Sequence, residues 1–225
     1  SGTSMASPAV AASAALVRQY LKEQGVAEEA LADMVNRLLM STATPIVDEA
    51  HDTLYFVRRQ GAGLANPAAA VASQAYIQVE GTNKSKFELG DDPERTGVYT
   101  MDFEVVNFSD GEKTYTLDTT VLGQKAEGGQ IRGGKVTYLV YDYARKLSAA
   151  VTSSTADGKI TVPAHATAQV SVTVTLSDAD RAYMDERFPY GAYVEGFVQL
   201  MSEDSVSLSA PFLAFYLSLI HISEP

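Results

Sequence analysis

Cysteine is absent from the 225 residues, which excludes a disulfide framework, thiol chemistry and any cysteine-based metal site. Basic residues are in short supply: 17 Lys and Arg stand against 28 Asp and Glu, a formal charge of −11. Nucleic acid and anionic membrane surfaces repel such a chain, so neither is expected as a partner. The mostly apolar stretch 211–222 is about a dozen residues long, too short for a bilayer that needs about 20. No phosphate-binding loop and no zinc-ligand spacing occur. The chain does not begin with Met and shows no signal peptide. It is expected to start inside a longer protein, so the missing leader says nothing about export. A length of 225 residues suits one or two domains.

What is present is concentrated at the start. Gly2-Thr3-Ser4-Met5-Ala6-Ser7-Pro8 leads into an Ala-dominated run to about Leu21, with Val10, Leu16 and Val17, and this predicts a helix. Pro8 lies near the beginning of that run, where a missing N–H costs little, so the helix is expected to begin close to Ser4. A serine there has free backbone N–H groups and the positive dipole end beside it, both suited to negative charge developing on a carbonyl oxygen. The density of small residues predicts a helix buried inside a larger α/β body. Ser before an Ala-rich helix is also an ordinary N-cap signature, but a cap does not require Met5, Ser7 and Pro8 in that order.

The heptapeptide resembles the nucleophile motif of the subtilases, the subtilisin-like serine proteases, with Ser4 in the place of the attacking serine. Residues 33–40 have helical periodicity, and Leu38-Leu39-Met40-Ser41-Thr42-Ala43 resembles the end of the helix that follows the nucleophile helix in that family. The stretch 58–70, with Gly61-Ala62-Gly63 and Asn66-Pro67, is similar to the close of the catalytic domain in large bacterial cell-envelope subtilases. Three matches in family order cover residues 1–74. The resemblance implies a secreted or cell-surface serine endopeptidase acting on protein or peptide through an acyl-enzyme on Ser4. In it Thr3 positions Ser4, and the Ser4 N–H contributes to the oxyanion hole. The family's aspartate, histidine and oxyanion-hole asparagine are expected upstream of this stretch. The chemistry needs no cofactor; nothing in these residues supports the structural calcium of some parents. Taken alone the chain is expected to be inactive, and residues 1–74 to lack the parallel sheet they pack against.

After residue 74 the character changes to short alternating runs. Val98, Thr100, Asp102 and Glu104 alternate with Tyr99, Met101, Phe103 and Val105, the period of a half-buried strand. Asp110-Gly111 is a turn signal into 113–121, and further strands are predicted at 135–141, 159–162, 167–176, 193–200 and 206–210. Gly128-Gly129, Gly133-Gly134 and Asp157-Gly158 are read as separators. About seven or eight strands over ~140 residues predict an antiparallel β-sandwich able to fold by itself. One helical turn is expected at 177–187, where Ser177 suits a cap and Asp178 and Asp180 a first turn. The segments 190–198 and 208–216, with Asn107 and the Tyr115 strand, resemble the fibronectin type III-like domain that follows the protease domain in lactocepin-type and complement-peptidase-type subtilases. The resemblance implies packing of residues 75–216 on the protease domain.

The remaining candidates are weaker. His51, near Asp48 and Asp52, follows Ser4 and stands outside any His-Gly-Thr motif; it is read as a solvated loop histidine. His165 is read as a turn residue. Asp91-Asp92-Pro93-Glu94 offers carboxylates but no calcium-loop spacing, and is read as a charged turn. Residues 217–225 resemble a translated sequencing-adapter read-through and are given no functional weight. The alternative to an enzyme is a non-catalytic β-sandwich that serves a degenerate protease as an adhesion or substrate-docking module.

Overall fold

In the computed structural model, which describes residues 2–132 and 135–217, the Ala-rich run forms α1 (Thr3–Glu23). Helix α2 (Glu28–Ser41) opens on Glu28 and Glu29, which suit the positive dipole end, and buries Leu31, Val35, Leu38 and Leu39 along one face. Short elements follow: β1 (Val47–Asp48) pairs antiparallel with β2 (Thr53–Leu54), then come α3 (Val57–Gln60) and α4 (Pro67–Ser73). Asn66 caps α4 by accepting from the Ala69 N–H at 3.0 Å, and Pro67 occupies the first helical turn.

The small-residue content of α1 predicts a buried helix, yet residues 2–12 are exposed and only Val17 and Leu21 are buried. Among the described residues before Ala75 the only strands are β1 and β2, so no parallel sheet receives the first turns of α1. Further along, the helices have found another surface. Val17, Leu21, Leu31, Val35, Leu38, Leu39 and Ala70 form one apolar cluster with Tyr76, and Val106 and Phe108 pack against it. Those last three side chains come from the β-region.

Among the described residues that region has ten strands: β3 (Ala75–Gln78), β4 (Phe87–Asp92), β5 (Val98–Asn107), β6 (Lys113–Arg132), β7 (Lys135–Lys146), β8 (Ala149–Ser153), β9 (Lys159–Val162), β10 (Ala166–Leu176), β11 (Ala192–Met201) and β12 (Leu208–Tyr216). One sheet has the order β3-β5-β10-β8; the other runs β4-β12-β11-β6-β7, with β9 also paired to β6. Tyr99, Met101, Phe103 and Val105 of β5 face Val194, Val198 and Leu200 of β11 and Ala210, Phe212 and Ala214 of β12 in a shared core, the arrangement of a β-sandwich. Alternation in the sequence had pointed to those four β5 side chains.

Three features differ from the sequence reading. Strand β4 runs parallel to β12, so the second sheet is mixed rather than antiparallel. Gly128-Gly129 does not separate strands; it lies inside β6, where the pairing with β7 slips between Glu127 and Gln130, as a bulge does. Strands β3, β4 and β8 carry no clear alternation and were not foreseen. Between β10 and β11 lies α5 (Asp178–Arg187), capped by Ser177, whose Oγ accepts from the Asp180 N–H at 3.1 Å. The Leu217 N–H donates to the Asp92 carbonyl at 3.1 Å, and the rest of the 217–225 tail lies outside the described residues, as does the Gly133-Gly134 turn.

Candidate active-site segment

Thr3 and Ser4 are the first two residues of α1, and both are exposed. Gly2 stands at the N-cap with an extended backbone, and its carbonyl accepts from Met5 N at 3.0 Å and Ala6 N at 3.1 Å. No side chain caps this helix. The Thr3 and Ser4 N–H groups therefore precede the first intrahelical bond, at the positive end of a 21-residue helix. Pro8 lies inside the helix and has no N–H to offer the Ser4 carbonyl four residues back. The geometry provides a serine hydroxyl beside backbone donors, the elements of an oxyanion site.

The two histidines among the described residues, His51 and His165, are bonded to other carboxylates. His51 Nδ1 pairs with Asp48 Oδ2 at 2.8 Å, and its ring stacks on Tyr143 of β7 with centroids 3.7 Å apart. His51 is an exposed turn residue, as the loop reading expects, and its imidazole in addition ties the β1–β2 turn to buried Asp48 and to β7. His165 sits in a turn at φ 53°, with Nε2 2.8 Å from Asp110 Oδ1.

Asp92 ends β4 and is buried; its carboxylate accepts from Thr96 N at 2.9 Å, Gly97 N at 2.8 Å and the Tyr99 hydroxyl at 3.3 Å. These bonds make it the organiser of the turn read from Asp91-Asp92-Pro93-Glu94. Burial and the Asp92 charge push the Tyr99 phenol well above its ordinary range. Burial, with Asp185 beside it, pushes Tyr216 up to about 12. Among the described residues no cluster of three or more His, Cys, Asp and Glu is placed to hold a metal ion, and no helix is long and apolar enough to cross a membrane.

Sequence reasoning missed the joint between the two regions. Glu195 of β11 is wholly buried, and its Oε1 accepts from Arg58 Nε at 2.8 Å while Oε2 accepts from Arg58 N at 3.0 Å. A single charged residue, Glu195, in the largely apolar run Ala192–Met201 was the one available signal.

Comparison with known proteins follows the same division. The subtilase family matches residues 1–63, and the Fn3-like domain family matches residues 87–213. The chain is 30% identical to the PII-type proteinase of Lacticaseibacillus paracasei, over 96% of this chain and 11% of that protein. Identity to the PI-type proteinase of Lactococcus lactis subsp. cremoris is likewise 30%, over 96% and 11% of the two chains. With the C5a peptidase of Streptococcus pyogenes serotype M3 it is 27%, over 96% and 17%. The chain thus spans less than a fifth of the length of these relatives.

Proposed function

Because the chain belongs to the Fn3-like domain family and its opening segment matches the subtilase family, we propose that it is part of a serine endopeptidase whose nucleophile is Ser4. The observation that carries this reading is Gly2-Thr3-Ser4-Met5-Ala6-Ser7-Pro8 at the uncapped start of α1, within a segment matched to that family. Ser4 Oγ attacks the scissile carbonyl, and a histidine contributed by a preceding part of the protein removes its proton. An aspartate orients that histidine. The Ser4 N–H and the helix dipole stabilise the oxyanion as the carbonyl becomes tetrahedral. Collapse expels the amine, which takes the proton from the histidine and leaves an acyl group on Ser4 for water to remove. Thr3, one residue earlier, fixes the approach of Ser4.

The substrate is protein or peptide, the site of action extracellular or at the cell surface, and the chemistry requires no cofactor. Residues 2–217 by themselves are inactive under this reading, since a serine without its base is a poor nucleophile at neutral pH. A second reading, a non-catalytic sandwich serving a degenerate protease as an adhesion or docking module, rests on the Fn3-like match over residues 87–213.

Long-read sequencing of the locus upstream of Ser1 separates the two. An aspartate and a His-Gly-Thr motif in frame support the enzyme. Its full-length product is then expected to label at Ser4 with a fluorophosphonate, and Ser4→Ala to lower kcat by several orders of magnitude. A frame without the histidine, or a labelled product unaffected by Ser4→Ala, overturns the proposal.

A further inference from the structure

We propose that the ribbon formed by β6 and β7 carries a binding site for a neutral oligosaccharide, built on its glycine bulge and making no use of Ser4. Strand β6 pairs with β11 as far as Leu122, and beyond that point its strand partner among the described residues is β7. In the ribbon Glu127 lies opposite Leu139 and Gln130 opposite Thr137, so Gly128 and Gly129 together face Tyr138. Glycine inside a strand marks a place where something approaches the backbone closely. Here the ribbon bears a cavity of about 640 Å³. A Cβ on Gly128 would meet no atom within 4 Å, whereas one on Gly129 would fall 3.5 Å from the Tyr138 ring. The Tyr138 hydroxyl is anchored on Glu186 of α5 at 2.7 Å. Its ring still lines the cavity, because the two residues opposite have no side chains to cover it. Tyr141 provides a second aromatic wall.

The chemistry of the lining selects the ligand. A pyranose ring has an apolar C–H face, which lies on a tyrosine ring, and an edge of hydroxyls that both donate and accept. The Gln130 carboxamide, which has no partner among the described residues, offers two donors and an acceptor. The Thr137 hydroxyl spends its proton on the Gln130 carbonyl at 3.0 Å and keeps its oxygen as an acceptor. Glu127 adds a carboxylate, and the Lys125 ammonium bonded to it holds its carboxyl below the usual range. Charges beside the cavity are matched: Lys125 Nζ is 2.6 Å from Glu127 Oε1, and Arg187 Nη1 is 3.5 Å from Glu186 Oε2. A phosphate or a lysine side chain would therefore find no unmatched charge to pair with. Two tyrosines, a free carboxamide and balanced charge around a concave surface fit a neutral ring of hydroxyls.

The test titrates the whole, isotope-labelled chain with chitohexaose and with cellohexaose, using oligolysine and oligoglutamate as charged probes, and follows amide chemical shifts. At least one glycan is expected to bind at millimolar concentration or below, with the shifts confined to 125–141 and α5. Tyr141→Ala is expected to weaken that binding roughly ten-fold, and Tyr141→Phe by less than three-fold, since the ring and not the hydroxyl carries the contact. The chain has no tryptophan, so Tyr141→Trp installs a single fluorescent reporter whose emission is expected to change on saturation. Gly128→Asn keeps a residue that tolerates φ 65° but fills the open space, and is expected to abolish binding even where Tyr141→Ala disturbs the ribbon. No response to either glycan, binding that both Tyr141→Ala and Gly128→Asn leave unchanged, or a stronger response to a charged peptide overturns the proposal.

Discussion

Asn107 shows how much one side chain arranges. It is buried, its amide donates to the carbonyls of Gly111, Val162 and Pro163 at 2.8 to 3.1 Å, and its Oδ1 accepts from Ser109 N at 3.0 Å. These bonds join the β5–β6 turn to the end of β9. Asn107→Ala orphans several buried carbonyls and an N–H, so a loss of about 3 kcal/mol in chemical denaturation is expected. Tyrosines give the molecule an alkaline limit. An unfolded tyrosine ionises near pH 10, whereas Tyr216 keeps its proton up to about 12 and Tyr99 beyond that. Above pH 10 the unfolded chain therefore binds fewer protons than the folded one, and stability falls as pH rises through that window. The melting temperature is expected to be insensitive to these groups below pH 9 and to drop between pH 10 and 12, less steeply in Tyr99→Phe. At this scale the sequence suggested Asn107 through family likeness and placed Asp92 in a turn. It gave no sign that Asp92 would be buried, since burial depends on what Tyr99, five residues beyond Glu94, packs against.

Helix α5 and the β6–β7 ribbon illustrate the element scale. The capping pattern Ser177 to Asp180 is local chemistry and was readable. The ribbon was readable only in part, through its strands at 113–121 and 135–141: it exposes Ile131, Val136, Leu139 and Val140, and a two-stranded ribbon is marginal unless something supports it. The support is α5. The Tyr183 hydroxyl accepts from Ala126 N at 2.6 Å and donates to the Gln124 carbonyl at 2.9 Å. Tyr138 donates to Glu186 at 2.7 Å, and Arg187 lies over both tyrosine rings. Tyr183→Phe is expected to speed amide exchange in 124–130 and 136–141 by ten-fold or more, about 1.4 kcal/mol of local opening, with little change in global unfolding. Unchanged protection would show that the strand pairing alone holds the ribbon. The glycines at 128 and 129 misled the sequence reading because a bulge and a turn share the same residue preference.

Over the whole molecule the decisive contact is between helices and sandwich. Leu38 is fully buried at the meeting of α1, α2 and Tyr76, so Leu38→Ala is expected to cost about 3 kcal/mol and to open both regions together in hydrogen exchange. Separate melting of helices and sandwich would refute that coupling. The exposed face of α1, including Met5, Val10 and Leu16, marks the part of the helix that this chain leaves uncovered.

The sequence by itself determined a helix start close to Ser4, the alternation of β5 and the cap of α5. Each is set by neighbours within one or two turns or by a period of two. Only the tertiary structure decided that β4 pairs parallel with β12, that His51 stacks on Tyr143, and that Glu195 meets Arg58. The last pair is 137 residues apart in the chain. Charge and burial at such positions depend on which surfaces meet, and that is settled by the packing of distant segments, not by local propensity.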